Sequence, residues 1–322
     1  MMVSPRMNIM KTRMWLALFI LYIAWGTTYL AIRYAVETIP PFFVAGVRFL
    51  LAGLVLYLWR RLAGDPAPSL RLWRSASISG ILLLVGGIGG LTLAEQVVPS
   101  GMAALIVAAT PLWVILIEAV RPGGQRPSLR TLSGVLIGLV GIFLLLGSHQ
   151  AEISHAGNEM LGIIILFAAG LSWAGGSIYT HNLPKGGFPL LETGMQLLVG
   201  SAGSFLLGLL MGEARGFNLR VVSLQSAFGV GYLVVVGSLI GYVCYTWLLR
   251  VAPTSLVMTY AYVNPLVAVL LGTLLAGEVL TSMMLVATPL ILGAIGLIHW
   301  HQPEQKPHAV AQVSMEASPG CD

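Results

Sequence analysis

Apolar residues in this chain neither alternate nor recur on one helical face. They come in blocks of about twenty, separated by short polar segments. The blocks fall near residues 14–35, 41–60, 75–94, 99–119, 129–148, 160–181, 189–211, 226–249, 253–275 and 283–300. At about 1.5 Å of rise per residue, each is long enough to cross the hydrocarbon of a bilayer as a helix. The pattern predicts ten transmembrane helices and leaves no room for an inserted soluble domain. Residues 301–322, rich in Pro, Gln, His and Ser, read as a disordered tail. Arg6, Lys11 and Arg13 ahead of the first block mimic a signal peptide. That block is of spanning length, however, and no clear small-residue cleavage site follows it, so it reads as a retained first helix.

Composition agrees. Of 322 residues, 57% are hydrophobic and 9% charged, whereas soluble domains carry about 25% charged residues. Seventeen Lys/Arg and twelve Asp/Glu cannot hydrate the surface of a soluble protein of this size. The net charge of +5 does not point to nucleic acid, because the cations lie between the apolar blocks. With the N-terminus in the cytoplasm, the cytoplasmic segments hold Arg6, Lys11, Arg13, Arg60, Arg61, Arg71, Arg74, Arg121, Arg126, Arg130, Lys185, Arg250 and Lys306. The opposite side holds only Arg215 and Arg220, and Arg33 and Arg48 fall inside spans. This bias predicts both termini in the cytoplasm, and an odd number of spans would spoil it. Cys244 and Cys321 offer no ligand spacing, so no metal or cofactor is implied.

The chain also repeats itself. The fourth block, VPSGMAALIVAATPLWVILIE, aligns without a gap on the ninth, APTSLVMTYAYVNPLVAVLLG, placing Pro99 on Pro253, Ser100 on Thr254, Thr110 on Asn264 and Pro111 on Pro265. Gly138 and Gly141 of the fifth block fall on Gly293 and Gly296 of the tenth. The first and sixth carry WGTTY from Trp25 and WAGGSIY from Trp173, an offset that also places Arg48 opposite Gln196. Residues 1–148 and 150–300 therefore read as two copies of one five-helix unit. Five is odd, so the second copy enters the membrane from the opposite side. Such inverted repeats give one protein two states of similar energy, open to either side.

The segments LYIAWGTTYLAIRYAVETIPPFFVAGVRFLLAG, AEQVVPSGMAALIVAATPLW, LSWAGGSIY and TYAYVNPLVAVLLGTLLAGE resemble the drug/metabolite transporter superfamily, specifically its ten-span EamA family and the YedA-like bacterial inner-membrane branch. The resemblance covers nearly the whole span region. It implies an all-α polytopic permease of the bacterial cytoplasmic membrane, often an exporter of amino acids, metabolites or drugs, and it implies no particular substrate. The Gly277-Glu278 pair of the second copy is Gly123-Gly124 in the first, so that acidic residue is not duplicated.

A solute site is expected near the midplane between the copies, lined by kinked helices. Pro111 and Pro265 each lie twelve residues beyond the proline that opens their block, about 18 Å into the membrane. Each frees a carbonyl four residues back, at Val107 and Ala261. Tyr260 and Asn264 share a helical face, with Thr110 in the place of Asn264 in the other copy. Trp25, Thr28 and Tyr29 share another face, as do Trp173 and Ser177. Rings with a few hydrogen-bonding groups suit a small amphipathic solute, although the same residues also serve as ordinary helix-packing contacts.

Arg48 is the sharpest polar feature. It sits two turns inside its helix, where a central charge costs about 2.5–3.5 kcal/mol. It is a candidate for a carboxylate or phosphate group, or for a gate or brace paired with Glu37 or Glu95 or snorkelling to the surface. Glu95 and Gln196 complete the gate candidates. Glu118 and Glu192 lie near cytoplasmic ends, so no deep carboxylate stands out for proton coupling, with Glu95 the best of them. The glycines at 86, 87, 89 and 90 read as a packing seam or hinge; the segment is no phosphate loop. An intramembrane enzyme is disfavoured, since neither HExxH nor GxSxG occurs. The expected partners are a small-molecule substrate and the lipid bilayer, with no nucleic acid. The duplication makes one chain sufficient, so a monomer is expected. A passive facilitator or channel is the main alternative to a coupled transporter, and a receptor subunit would not require the duplication.

Overall fold

The computed structural model describes residues 5–121, 156–183, 187–215, 217–252, 257–277, 279 and 282–299, with scattered positions between 129 and 144. Among these residues the protein is all-helical. The helices are α1 (Pro5–Ala35), α2 (Pro41–Leu62), α3 (Leu70–Ala94), α4 (Ser100–Val107 and Thr110–Val120), α5 (Ala156–Asn182), α6 (Pro189–Leu210), α7 (Leu224–Val251), α8 (Tyr260–Leu275) and α9 (Ser282–His299). Seven of them, α1 to α7, are long and apolar enough to cross a membrane, and α8 and α9 contain shorter apolar stretches. Most of the block at 129–148 and all of the tail at 301–322 lie outside the described residues.

Local chemistry sets the helix ends. Proline stands at the first turn of α2 and of α6, where its missing N–H costs nothing. Ser69 and Ser223 accept backbone N–H groups at the starts of α3 and α7, as N-caps should. Gly64, with φ +98°, lets the chain turn out of α2. In α4 the helix is broken at Ala108–Ala109, and Thr110 Oγ1 donates to the Val107 carbonyl at 2.6 Å. The carbonyl freed by Pro111 is thus satisfied by the neighbouring side chain. Pro111 itself opens the second segment of α4, whereas Pro265 lies inside continuous α8.

Two helices carry long π-helical segments, Ile81–Gly89 in α3 and Leu233–Tyr242 in α7. Both are glycine-rich, and their glycines seat bulky side chains from other helices. A Cβ at Gly87 would meet the Trp173 ring at 2.8 Å, and one at Gly241 would overlap the Trp25 indole nitrogen. The seam read from the glycines at 86–90 is therefore a close approach of α3 to α5, with a counterpart of α7 on α1.

The most extensive pairing among the described helices is α2 with α6. A Cβ at Gly46 would meet Phe205 at 2.8 Å, and one at Gly194 would meet the backbone nitrogen of Tyr57 at 2.9 Å. Ser201 donates to the Gly46 carbonyl at 2.9 Å. Gly138 approaches Leu112 of α4 and Ala294 of α9. Trp15, Phe19, Val55, Phe228 and Leu270 are exposed on the outside of the bundle, a surface suited to lipid. The main core gathers Trp25, Phe49, Leu84, Trp173, Tyr242, Tyr245 and Tyr260 where α1, α2, α3, α5, α7 and α8 meet.

Candidate functional site

The middle of the bundle encloses a cavity of about 60 Å³. From α1 it receives Trp25, Thr28, Tyr29 and Ile32, which share one face because they recur at three- and four-residue spacing. Arg48 enters from α2, Gly87, Ile88 and Leu91 from α3, and Val107 from the break in α4. Ala169, Gly170 and Trp173 come from α5, and Tyr260 and Asn264 from α8. A larger groove of about 840 Å³ lies between α1, α7 and α8, but its walls are mainly apolar and it is open to the bundle exterior. The central cavity is the one lined by a charged side chain and several hydrogen-bonding ones.

Aromatic rings form one wall of the cavity. Trp25 and Trp173 meet edge to face, with centroids 5.4 Å apart at 76°. Trp25 also meets Tyr260 at 5.1 Å and 89°, and Tyr245 backs both indoles at about 5 Å. Hydrogen bonds fix the rings: Trp25 Nε1 donates to the Gly237 carbonyl at 3.2 Å, and Thr28 Oγ1 donates to the Trp25 carbonyl at 2.7 Å. With its amide oriented to satisfy both partners, Asn264 Nδ2 donates to the carbonyls of Tyr260 at 3.1 Å and Tyr22 at 3.2 Å. Tyr22 in turn hydrogen-bonds to Thr259.

Arg48 is 2% exposed. Its guanidinium does not snorkel to the surface. It turns inward, donates from Nε to Ser238 Oγ at 3.1 Å, and lies with Cζ 5.0 Å from the Phe49 ring centre. Gly237 gives it room, since a Cβ there would stand 2.7 Å from Nη2. Glu95, fully buried at the end of α3, acts on Arg48 through space, while its backbone carbonyl accepts Arg33 Nη1 at 2.9 Å.

The cavity brings together Trp25, Thr28, Tyr29, Arg48, Trp173, Tyr260 and Asn264. It leaves out four other residues singled out in the sequence. Thr110 is turned back on its own helix, and Ser177 bonds the Trp173 carbonyl and the Tyr245 hydroxyl, both at 2.6 Å, behind the aromatic wall. Gln196 faces α7, where Oε1 accepts the Tyr242 hydroxyl at 2.7 Å. Glu95 is buried near the cavity without lining it. The side chain of Glu118, like Glu278, lies outside what is described.

Sequence reasoning missed Tyr22, Ser238, Tyr242 and Tyr245, which hold the cavity's walls in place. The Gly-Ser-Leu-Ile-Gly-Tyr run from Gly237 was the available signal, since it parallels the glycines at 86–90 in another apolar block.

Charged contacts stand at the two ends of the bundle. Glu192 and Arg250 pair between α6 and α7 at the end where α6 begins. At the same end Arg60 grips Asp65 with two bonds, Nε to Oδ2 at 2.8 Å and Nη2 to Oδ1 at 2.6 Å. This holds the Asp65 carboxyl below its ordinary range. At the opposite end Glu213 accepts N–H groups from the start of α2. Burial pushes its carboxyl above the ordinary range, and the two N–H groups oppose that shift. Among the described residues, no group of three or more His, Cys, Asp or Glu is placed to hold a metal.

A helical bundle of spanning length with a buried aromatic and cationic cavity at its centre defines a polytopic membrane protein of the solute-handling kind. The model of the EamA-like transporter family matches the chain twice, over residues 12–147 and 160–300. The chain is 39% identical over 289 residues to the uncharacterized inner membrane transporter YedA of Escherichia coli strain K12, covering 88% of this chain and 89% of the relative. It is 26% identical over 289 residues to a protein of Salmonella typhimurium named a probable amino-acid metabolite efflux pump, covering 85% and 90%. A protein crystal structure with 20% identity superposes with a TM-score of 0.63 over 89% of this chain and 96% of that one, a likeness of fold. The chain belongs to the EamA-like transporter family and is a multi-pass inner-membrane protein.

Proposed function

We propose that the protein is a secondary-type permease that exports a small metabolite, amino acid or drug-like solute by alternating access through the central cavity. The observation that carries this reading is the Trp25–Trp173 contact, in which corresponding positions of the two sequence copies meet across one enclosed, partly polar space. The proposed architecture is ten helices in two inverted five-helix repeats, residues 1–148 and 150–300, with both termini cytoplasmic.

Reciprocal contacts support the inversion. Gly46 packs on Phe205 and Gly194 on Tyr57, and each member of the first pair matches one of the second at the Trp25-to-Trp173 offset. Gly87 against Trp173 and Gly241 against Trp25 form a second exchanged pair. Export is the direction favoured by the efflux-pump name of the Salmonella relative. On this reading Trp25, Thr28, Tyr29, Trp173, Tyr260 and Asn264 contact solute. Arg48 and Glu95 form the charged side of the gate, Ser177, Thr110 and Gln196 support the walls, and Pro111 and Pro265 shape α4 and α8.

A passive facilitator is the second reading. It is favoured by the cavity lining, which among the described residues has Arg48 as its one charged residue and offers no carboxylate to carry a proton. The deciding experiment is substrate-panel flux in proteoliposomes with and without a proton gradient. Gradient-dependent flux is expected, gradient-independent flux establishes the facilitator, and no flux of any solute overturns both. Tyr260→Ala and Asn264→Ala are expected to change the transport constants. Unchanged constants overturn the assignment of the cavity as the solute site.

A further inference from the structure

We infer that the central cavity selects a solute bearing one carboxylate on an apolar, ring-sized body, with Arg48 as the group that takes the carboxylate. The inference deepens the transporter reading and rests on it.

Among the described residues Arg48 is the one charged side chain in the cavity lining, and it is almost fully buried. A guanidinium offers five N–H donors in a planar fork matched to a carboxylate. Among the described residues its side-chain hydrogen bond goes to a single neutral hydroxyl, that of Ser238. Glu95 acts on it through space, which tempers the cost of the buried charge, and Arg48 still lines the cavity. A purely structural arginine at this depth would be expected to spend more of its donors on protein acceptors.

A second donor points the same way. Among the described residues Trp173 Nε1 is buried close to the Tyr245 and Tyr260 hydroxyls without completing a well-aligned hydrogen bond to either. Indole N–H only donates, so the lining presents a cation and an incompletely engaged donor. That combination calls for an acceptor-rich anion.

The rest of the lining describes the solute's body. Trp25, Trp173 and Tyr260 meet nearly at right angles and make an aromatic corner, the shape that receives a flat ring or a short aliphatic chain. Arg48 already feels Glu95 through space, so each added negative charge is stabilised only by its remaining donors. A dianionic phosphate monoester would bring a second charge into the same dry space without a partner, so a carboxylate is favoured.

The test uses the purified full-length protein in detergent and titrates 3-phenylpropionate, its neutral amide 3-phenylpropanamide, and phenyl phosphate, with binding read by calorimetry. Wild type should bind the acid at least about tenfold more tightly than the amide, a typical margin for a charge-assisted bidentate contact, and phenyl phosphate more weakly than the acid. Arg48→Gln should abolish the preference for the acid over the amide, while Arg48→Lys should keep part of it. Trp173→Phe, which removes the N–H, should narrow the same preference less than Arg48→Gln does. The inference is overturned if wild type fails to bind the acid, binds acid and amide alike, prefers the phosphate, or keeps its preference in Arg48→Gln. Proteoliposome flux separates this from the parent reading. Equal flux of acid and amide sinks the carboxylate assignment with transport intact, whereas no flux of any solute sinks the transporter reading and leaves the binding result to judge Arg48.

Discussion

The Glu213 carboxylate accepts the backbone N–H groups of Phe42 and Phe43, both at 3.2 Å, and so caps a helix that begins some 170 residues earlier in the chain. Pro41 has no N–H to offer, and the next two donors of α2 are those that Glu213 meets. Helix N-termini favour such anions. Removing the acceptor in Glu213→Ala should cost about 1 kcal/mol, visible as a lowered unfolding midpoint in detergent.

Glu213 should also shape the pH profile. Its folded pKa is raised by burial above an ordinary value of 4.5, so folding favours its protonated form. Its contribution to stability is fully present below about pH 4.5 and is lost as pH rises through the raised value. Glu213→Gln, which keeps an acceptor but cannot titrate, should flatten that part of the stability curve. An unchanged curve would rule this assignment out.

Asp65 should show the opposite sign. Its pKa is lowered from 3.8, first by the hydrogen bonds from Arg60. Its contribution is present above the ordinary value and is lost as pH falls through the lowered one. Wild type and Asp65→Asn should differ in unfolding midpoint at neutral pH and converge in acid.

The glycine seam between α2 and α6 predicts an asymmetry. A methyl at Gly194 would strike the Tyr57 backbone, whereas one at Gly46 would strike the Phe205 ring. A ring can turn more cheaply than a helix backbone can shift. Gly194→Ala should therefore lose about 1–3 kcal/mol to overpacking, and Gly46→Ala less, as measured by paired unfolding curves.

The π segment of α7 makes another prediction. A Cβ at Gly241 overlaps Trp25 Nε1, so Gly241→Ala should push the indole away and break its bond to the Gly237 carbonyl. A cost of about 1–3 kcal/mol is expected, together with a shift in tryptophan emission. A silent substitution would mean that Trp25 is not held by this seat.

Much of this was legible in the residues. Each apolar block within the described residues contains a helix, and the faces drawn from three- and four-residue spacing placed Trp25, Thr28 and Tyr29 together, and Tyr260 with Asn264, because such faces are a property of one helix. Which helices meet is not a property of one helix. Spacing could not reveal that Ser177 turns towards Tyr245, or that Gln196 meets Tyr242. The π segments were hidden for a different reason. The chain enters and leaves them at ordinary helical angles, with φ −63° and ψ −42° at Gly80, so the apolar block reads as one uninterrupted helix. Arg48 was visible as a buried charge, but its inward course depends on Ser238 and on the space at Gly237, nearly two hundred residues away.

The small size of the central cavity has a thermodynamic consequence. At about 60 Å³ it falls well below the roughly 300–1,000 Å³ of ordinary ligand pockets, so a solute carrying a ring is received in full only by a widened form of the bundle. The measured dissociation constant then equals the intrinsic one divided by the population of that form. A weak constant would report the rarity of the widened form as much as any poor fit. A substitution that loosens a distant glycine seam could then tighten binding without touching the solute.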